Sequence, residues 1–341
     1  MSKEIDDIFS DNMEDEIKNE VRKKRNKLNL KLIIIAIIST LAIVIGGSIL
    51  LEFESDKYIE TSYAKDKKMQ ELEYIVRYPN EYIGKESCRE IGYFKYESTY
   101  DISKRIGGRV IFAGSSNDSS SGVGNKGFYN KESHIISNIP LSQDINKRDS
   151  NAYGLRELHF FYPYVHYGKD IYNYETDKNK VTEDELKTGK ENIINDFHFL
   201  NEIEDNKIVE MGLSFDKQYT YEEVNKMLDS NLITFYWIDN NSEEEKKHII
   251  EYVNPAFDVV GIKSMDMAGE YHDNVDERML HFKDAINQLR NLGDTEYINN
   301  IDENNIKIIG AVVVGSSKEL KAIQNNPMIK HAVLGTVVDK Y

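Results

Sequence analysis

Residues 32–51 read LIIIAIISTLAIVIGGSILL, twenty positions without a charge, with Lys31 in front and Glu52 behind. At about 1.5 Å of rise per residue a helix of this length spans roughly 30 Å, the thickness of a bilayer's hydrocarbon core. The run therefore predicts a single transmembrane helix. It is too long for the apolar region of a cleaved signal peptide, and Glu-Phe-Glu follows it where small residues would mark a cleavage site. Arg22, Lys23, Lys24, Arg25, Lys27 and Lys31 precede the run, whereas Glu52, Glu54 and Asp56 follow it. That cation bias predicts a cytoplasmic N-terminus and an extracytoplasmic C-terminal part.

On this reading the chain has four parts: a cytoplasmic arm (1–31), the span (32–51), a membrane-proximal stalk with a tyrosine-rich region (52–190) and a C-terminal domain (191–341). The arm holds eight acidic and eight basic side chains, so the formal charge of −16 falls wholly on the part beyond the span. An acidic surface of that size repels phosphate backbones, which argues against nucleic acid as a partner. Cys88 is the sole cysteine, so no disulfide within the chain can form and an ordinary core must supply stability. With 22 tyrosines and 13 phenylalanines, material for that core is present.

In the arm, Ile5, Ile8, Phe9 and Met13 recur at helical spacing among Asp6, Asp7, Asp11, Glu14 and Asp15. This predicts an acidic helix with a narrow apolar face, too short to fold alone and suited to docking in a groove of a cytoplasmic protein. The alternative is a solvated helix whose basic end only sets topology. Beyond the span, residues 53–68 read as a polar stalk, and YIVRYPNEYIG (74–84) as a strand running into a turn. RVIF (109–112) reads as a strand, and AGSSNDSSSGVGNKG (113–127) as a loop. Gly122, Gly124 and Gly127 in that loop fit G-x-G-x-x-G, but no strand leads into them and no helix opens after them, so a dinucleotide site is not expected. His159 and His166, in the aromatic stretch 153–174, lack a Cys or His pair at metal-ligand spacing, so their aromatic neighbours are read as core. No hydrolase or protease motif is present, and no catalytic residue, metal or cofactor is expected.

From residue 207 the pattern is regular. KIVEMGLSF (207–215), NLITFYWID (231–239), DVVGIKS (258–264), IKIIGAVVVG (306–315) and MIKHAVLGTVVD (328–339) read as strands. Helices are expected from the capping boxes at Thr220–Glu223 and Ser316–Glu319 and from the amphipathic run 275–292, and a further box at Thr182 and Glu185 opens a short helix. Strand-helix-strand units of this kind predict an α/β fold built on a mixed sheet, with α+β the alternative.

MGLSFDKQYTYEEVNKML (211–228), TFYWID (234–239) and above all the last 36 residues, IKIIGAVVVGSSKELKAIQNNPMIKHAVLGTVVDKY, resemble the sigma factor regulator C-terminal domain of Gram-positive bacteria. The charged arm, basic cluster, span and YIVRYPNEYI resemble its N-terminal companion. The resemblance implies an anti-sigma factor that holds an extracytoplasmic-function sigma factor inactive at the membrane. It brings no catalytic residues. The partners expected are a cytoplasmic sigma factor and the lipid bilayer, with room for a second membrane protein.

Overall fold

The structure is a computed structural model that describes residues 11–121, 125–126, 158–167, 193–249, 253–255, 258–266, 269–272, 274–293 and 296–340. Ile5, Ile8, Phe9, Thr182 and the three glycines of the G-x-G-x-x-G pattern lie outside the described residues. The chain divides into two compact units, Met1–Thr61 with Ile91–Lys95, and Ser62–Glu90 with Tyr96–Tyr341.

The first unit is dominated by α1, a helix that runs Asp11–Val76 and contains the apolar stretch. Among the described residues it is the one helix long and apolar enough to cross a membrane. All its side chains from 32 to 51 are exposed, apart from the half-buried Gly46. The two hydroxyls with hydrogen bonds there turn back on the helix: Thr40 Oγ1 donates to the Ala36 carbonyl at 2.8 Å, and Ser48 Oγ to the Val44 carbonyl at 2.9 Å. Within the same unit, Ser55 is fully buried and its Oγ accepts the Phe94 N–H at 2.8 Å, while the rings of Tyr58 and Phe94 meet edge to face at 5.7 Å.

Past the apolar run the helix continues, which corrects the strand expected at 74–76. Residues 53–68 are helix, and so are Tyr74–Val76, which the sequence had suggested as a strand. No Gly or Pro falls between Gly47 and Pro79, so nothing breaks the helix. Its inward stripe runs through Ser55, Ser62, Asp66 and Met69 to Leu72 and Val76, which is helical spacing carried partly by polar residues. The helix ends before Pro79, with Tyr78 and Asn80 at φ of 54° and 61°.

The second unit holds two larger sheets and a two-stranded pair, His159–Phe161 with Val253–Pro255. Strands β1 (Glu81–Gly92), β2 (Lys95–Ile106), β3 (Arg109–Ser121) and β4 (Asn125–Lys126) form one, in that order. Along β2 every second residue from Tyr96 to Ile106 is buried, as a half-covered strand requires. Residues 113–121, expected as loop, continue β3. The buried Ala113 and Ser116 need little side-chain volume, and strand pairing uses backbone alone.

The larger sheet comprises β6 (Lys207–Tyr219), β7 (Ile233–Ile238), β9 (Gly261–Lys263), β10 (Ile308–Ser316) and β11 (Ile329–Asp339), ordered β11-β6-β10-β7-β9. Every pairing is antiparallel, which corrects the mixed sheet. Helix α2 (Tyr221–Met227) does connect β6 to β7, and α5 (Ser317–Ala322) connects β10 to β11, but each connection skips one place, filled by β10 in the first case and by β6 in the second. The result is the interlaced split βαβ arrangement of an α+β protein. Both expected capping boxes at these helices are formed, at Thr220 and Ser316. Between β7 and β10 come α3 (Glu243–His248), β8 (Val253–Pro255) and the long α4 (Val275–Leu292).

One face of this sheet packs on helices. Val209, Met211, Leu213 and Phe215 of β6 share a core with Phe282, Ile286 and Leu289 of α4, and with Leu72 and Val76 of α1. The other face is covered by residues 158–167, including the short β5 (His159–Phe161), which pairs with β8. There the aromatic stretch is core: Phe160 lies 5.2 Å from the Trp237 ring, and Phe161 stacks on His331 at 4.4 Å. Side chains from both sides of residue 190 thus share one core.

Candidate functional site

Within the second unit, the C-terminal turns of α1 are captured from three directions. Glu210 projects from β6 onto the face away from the helices and is fully buried. Its Oε2 lies 2.7 Å from Nζ of Lys104 on β2, whose side chain is also buried. The same carboxylate accepts from Asn80 Nδ2 at 2.7 Å and from the Thr336 N–H at 3.1 Å. Asn80 is itself buried in the turn after α1, and its carbonyl accepts the Arg105 N–H at 2.8 Å. A left-handed φ at this position suits Asn, whose short side chain is then aimed at the carboxylate. Gly335 makes room: a Cβ there would sit 2.7 Å from Glu210 Oε2 and 2.6 Å from Leu158 Cδ2.

The second capture is by Lys263 of β9, whose ammonium donates to the Tyr74 carbonyl at the end of α1 and to the Glu81 carbonyl at 2.6 Å. A cation at a helix C-terminus meets the carbonyls left without intrahelical partners. Aromatic packing is the third. Tyr74 stacks on Tyr78 at 4.5 Å and meets Tyr100 edge to face, and the Arg77 guanidinium lies 4.8 Å from the centre of the Tyr297 ring and 3.7 Å from Asp258 Oδ1. Nearby, Tyr271 donates to the Arg105 carbonyl at 2.9 Å, and burial, followed by the Glu210 charge, holds its phenol above the usual range. Further back along α1, Tyr63 and Lys67 both donate to Glu86 of β1, and Tyr96 of β2 donates to Asp66.

Two buried, opposite charges, with Asn80 and the Thr336 N–H also donating to the carboxylate, make a cooperative clamp. Removing one partner of such a pair costs about 3–5 kcal/mol, because the other is left charged and dry. Movement of the larger sheet against the turn after α1 must break Asn80–Glu210, and movement against β2 must break Lys104–Glu210.

The residues singled out for partner binding lie elsewhere. Met13 is on α1 with 45 % of its surface exposed, and Ile17 and Val21, one and two turns on, are 59 % exposed. Arg22, Lys23, Lys24, Arg25, Lys27 and Lys31 are exposed along the same helix, with Lys23 3.7 Å from Glu20. Asn80, Lys104, Glu210 and Lys263 were missed by the sequence reading. A signal existed for Glu210 and Lys263, each a lone charge inside an apolar strand pattern, VEM and GIK.

The fold defines a class: an α+β protein in which the last turns of a long, apolar N-terminal helix belong to the core of a C-terminal antiparallel sheet. Family models narrow it. The model for the sigma factor regulator N-terminal region matches residues 18–111, and that for the sigma factor regulator C-terminal region matches residues 200–336. The chain belongs to the sigma factor regulator family. Its role is to regulate a sigma factor, which makes that protein a partner, and the family is regulatory rather than enzymatic. No curated protein and no solved structure matches the chain. The clamp falls on both matched segments: Asn80 and Lys104 are in the first, and Glu210, Lys263 and Thr336 are in the second.

Proposed function

We propose that this protein is a single-pass membrane anti-sigma factor, its N-terminus cytoplasmic and its sheet domain extracytoplasmic. The arm of residues 1–31 holds an extracytoplasmic-function sigma factor through Ile5, Ile8, Phe9 and Met13, and the sheet domain controls that hold. The observation that carries the reading is α1 itself. One helix, Asp11–Val76, contains the exposed arm residues from Met13, the basic cluster, the apolar run and the turns at Leu72 and Val76 that belong to the sheet core. Support for the arm as docking segment is the exposure of Met13, Ile17 and Val21, which no part of the described chain covers. Support for the orientation is the placing of six cations before the run and three acids after it.

On this reading a signal acts on the outer domain, the clamp at Glu210 ties that domain to the end of α1, and the change is felt by the arm. The test is a pull-down from membranes with the full chain and with a chain lacking residues 1–21. The full chain retains a sigma factor and the shortened one does not. Equal retention would contradict the assignment of the arm. Orientation is checked with protease on intact protoplasts: the sheet domain is digested and an N-terminal tag is spared, the reverse outcome refuting it.

A further inference from the structure

A cavity of about 300 Å³ lies between the last turn of α1, strand β9 and the start of α4. It shares Lys263 with the residues that hold the end of α1 and is otherwise separate from them. Its floor is apolar, with Ile75 and Phe282, and its wall carries Lys263, Arg278, His272, His281 and one carboxylate, Asp266. We infer that it binds a small organic carboxylate with a flat apolar body.

Arg278 is the first reason. Only 6 % of its surface is exposed, yet the acceptors around it are carbonyls: Nε donates to His272 O at 2.8 Å and Nη1 to Ile233 O at 2.9 Å. No ion pair to Arg278 occurs among the described residues. Carbonyl dipoles orient and solvate a guanidinium but do not neutralise it, and a buried cation draws an anion into any space beside it. Lys263 adds a second buried cation. Asp266, which accepts the Glu270 N–H at 2.8 Å, offsets one of the two. The wall is left with one net positive charge when both histidines are neutral, which matches a monoanionic carboxylate and disfavours a doubly charged phosphate.

The histidines are the second reason. The rings of His272 and His281 stack at 4.5 Å with 19° between their planes, and Nε2 of His272 is buried with no hydrogen-bond partner among the described residues. A buried ring nitrogen without a partner is costly, and a ligand oxygen would satisfy it. With Phe282 also lining the cavity, the stacked pair favours a flat apolar body over a branched one. His281 is exposed, so the cavity opens to solvent at that residue. This inference stands apart from the anti-sigma reading, although Ile75 brings the ligand against the end of α1.

The test uses the full chain in detergent micelles with isotope-labelled histidine. Ring resonances of His272 and His281 are followed at fixed pH during titration with phenylacetate and, separately, with phenylacetamide, which has the same shape without the charge. The expected result is a saturable shift of both residues with phenylacetate and an affinity for the amide weaker by about tenfold or more, as the loss of a charge-assisted contact predicts. His281→Trp, a change at an exposed position, fills the mouth and abolishes the shift of His272 while a urea-unfolding midpoint equal to the parent's reports an intact core. No saturable shift with phenylacetate, equal binding of acid and amide, or a His272 response that survives in His281→Trp overturns the inference.

Discussion

The two ends of α1 carry the same kind of side chain in opposite circumstances. At Leu72 and Val76 the helix buries its apolar residues almost completely, with 1 % and 0 % of their surface exposed; at Met13, Ile17 and Val21 the same spacing leaves about half of each exposed. Burial of a Val or Leu side chain contributes about 1.5–3 kcal/mol, so one end stabilises the fold and the other, on the proposed reading, keeps a capacity of similar size for a partner. A polar substitution should therefore have two different meanings along one helix. Near Val76 it unfolds the chain, and near Met13 it leaves the fold intact and weakens a complex.

The largest effect is expected at the buried end. Val76→Asp, and Val313→Asp in the central strand β10, each put a carboxylate where no partner waits and should lower stability by more than about 4 kcal/mol. Urea unfolding of the full chain in micelles, followed by the fluorescence of the sole tryptophan, Trp237, measures this. A loss below about 1 kcal/mol at Val76 would mean that the end of α1 is not part of the core.

Next in size is the clamp. Lys104→Met leaves Glu210 buried and uncompensated and should cost about 3–5 kcal/mol, whereas Lys104→Met combined with Glu210→Met should recover part of that loss, since two apolar side chains no longer need one another's charge. Additive losses in the double variant would show that the pair does not act as a unit. Gly335→Ala crowds Glu210 and Leu158 and should cost about 1–3 kcal/mol by overpacking. Ser316→Ala removes the hydroxyl that accepts the Glu319 N–H at 3.3 Å, and should cost about 1 kcal/mol. At the other end, Ile17→Ser should stay within about 0.5 kcal/mol of the parent, because nothing in the described chain packs on it.

The strands β6, β7, β10 and β11 and the helices between them could be read from apolar runs and capping boxes, because those signals are local. The sheet order could not. β10 enters between β6 and β7 only through pairings such as Val312 with Gly212 and with Phe235, which no local pattern encodes. The extension of α1 past the membrane run was hidden because Ser55, Ser62 and Asp66 occupy its inward stripe, and a search for apolar periodicity passes over them. The clamp was hidden for a related reason: Lys104 and Glu210 are far apart in the chain, and each looks like a surface charge until β2 and β6 are brought together.

Promoter output in cells carrying Ile8→Ser with Phe9→Ser tests the central claim most directly. If the arm holds a sigma factor through its apolar face, transcription from that factor's promoters rises while the protein stays in the membrane at its normal level. The charge reversals Asp6→Lys and Asp7→Lys, which alter steering more than burial, produce a smaller rise. Unchanged promoter output after the double serine change, at normal protein level, would contradict the account and leave the arm as a topology signal alone.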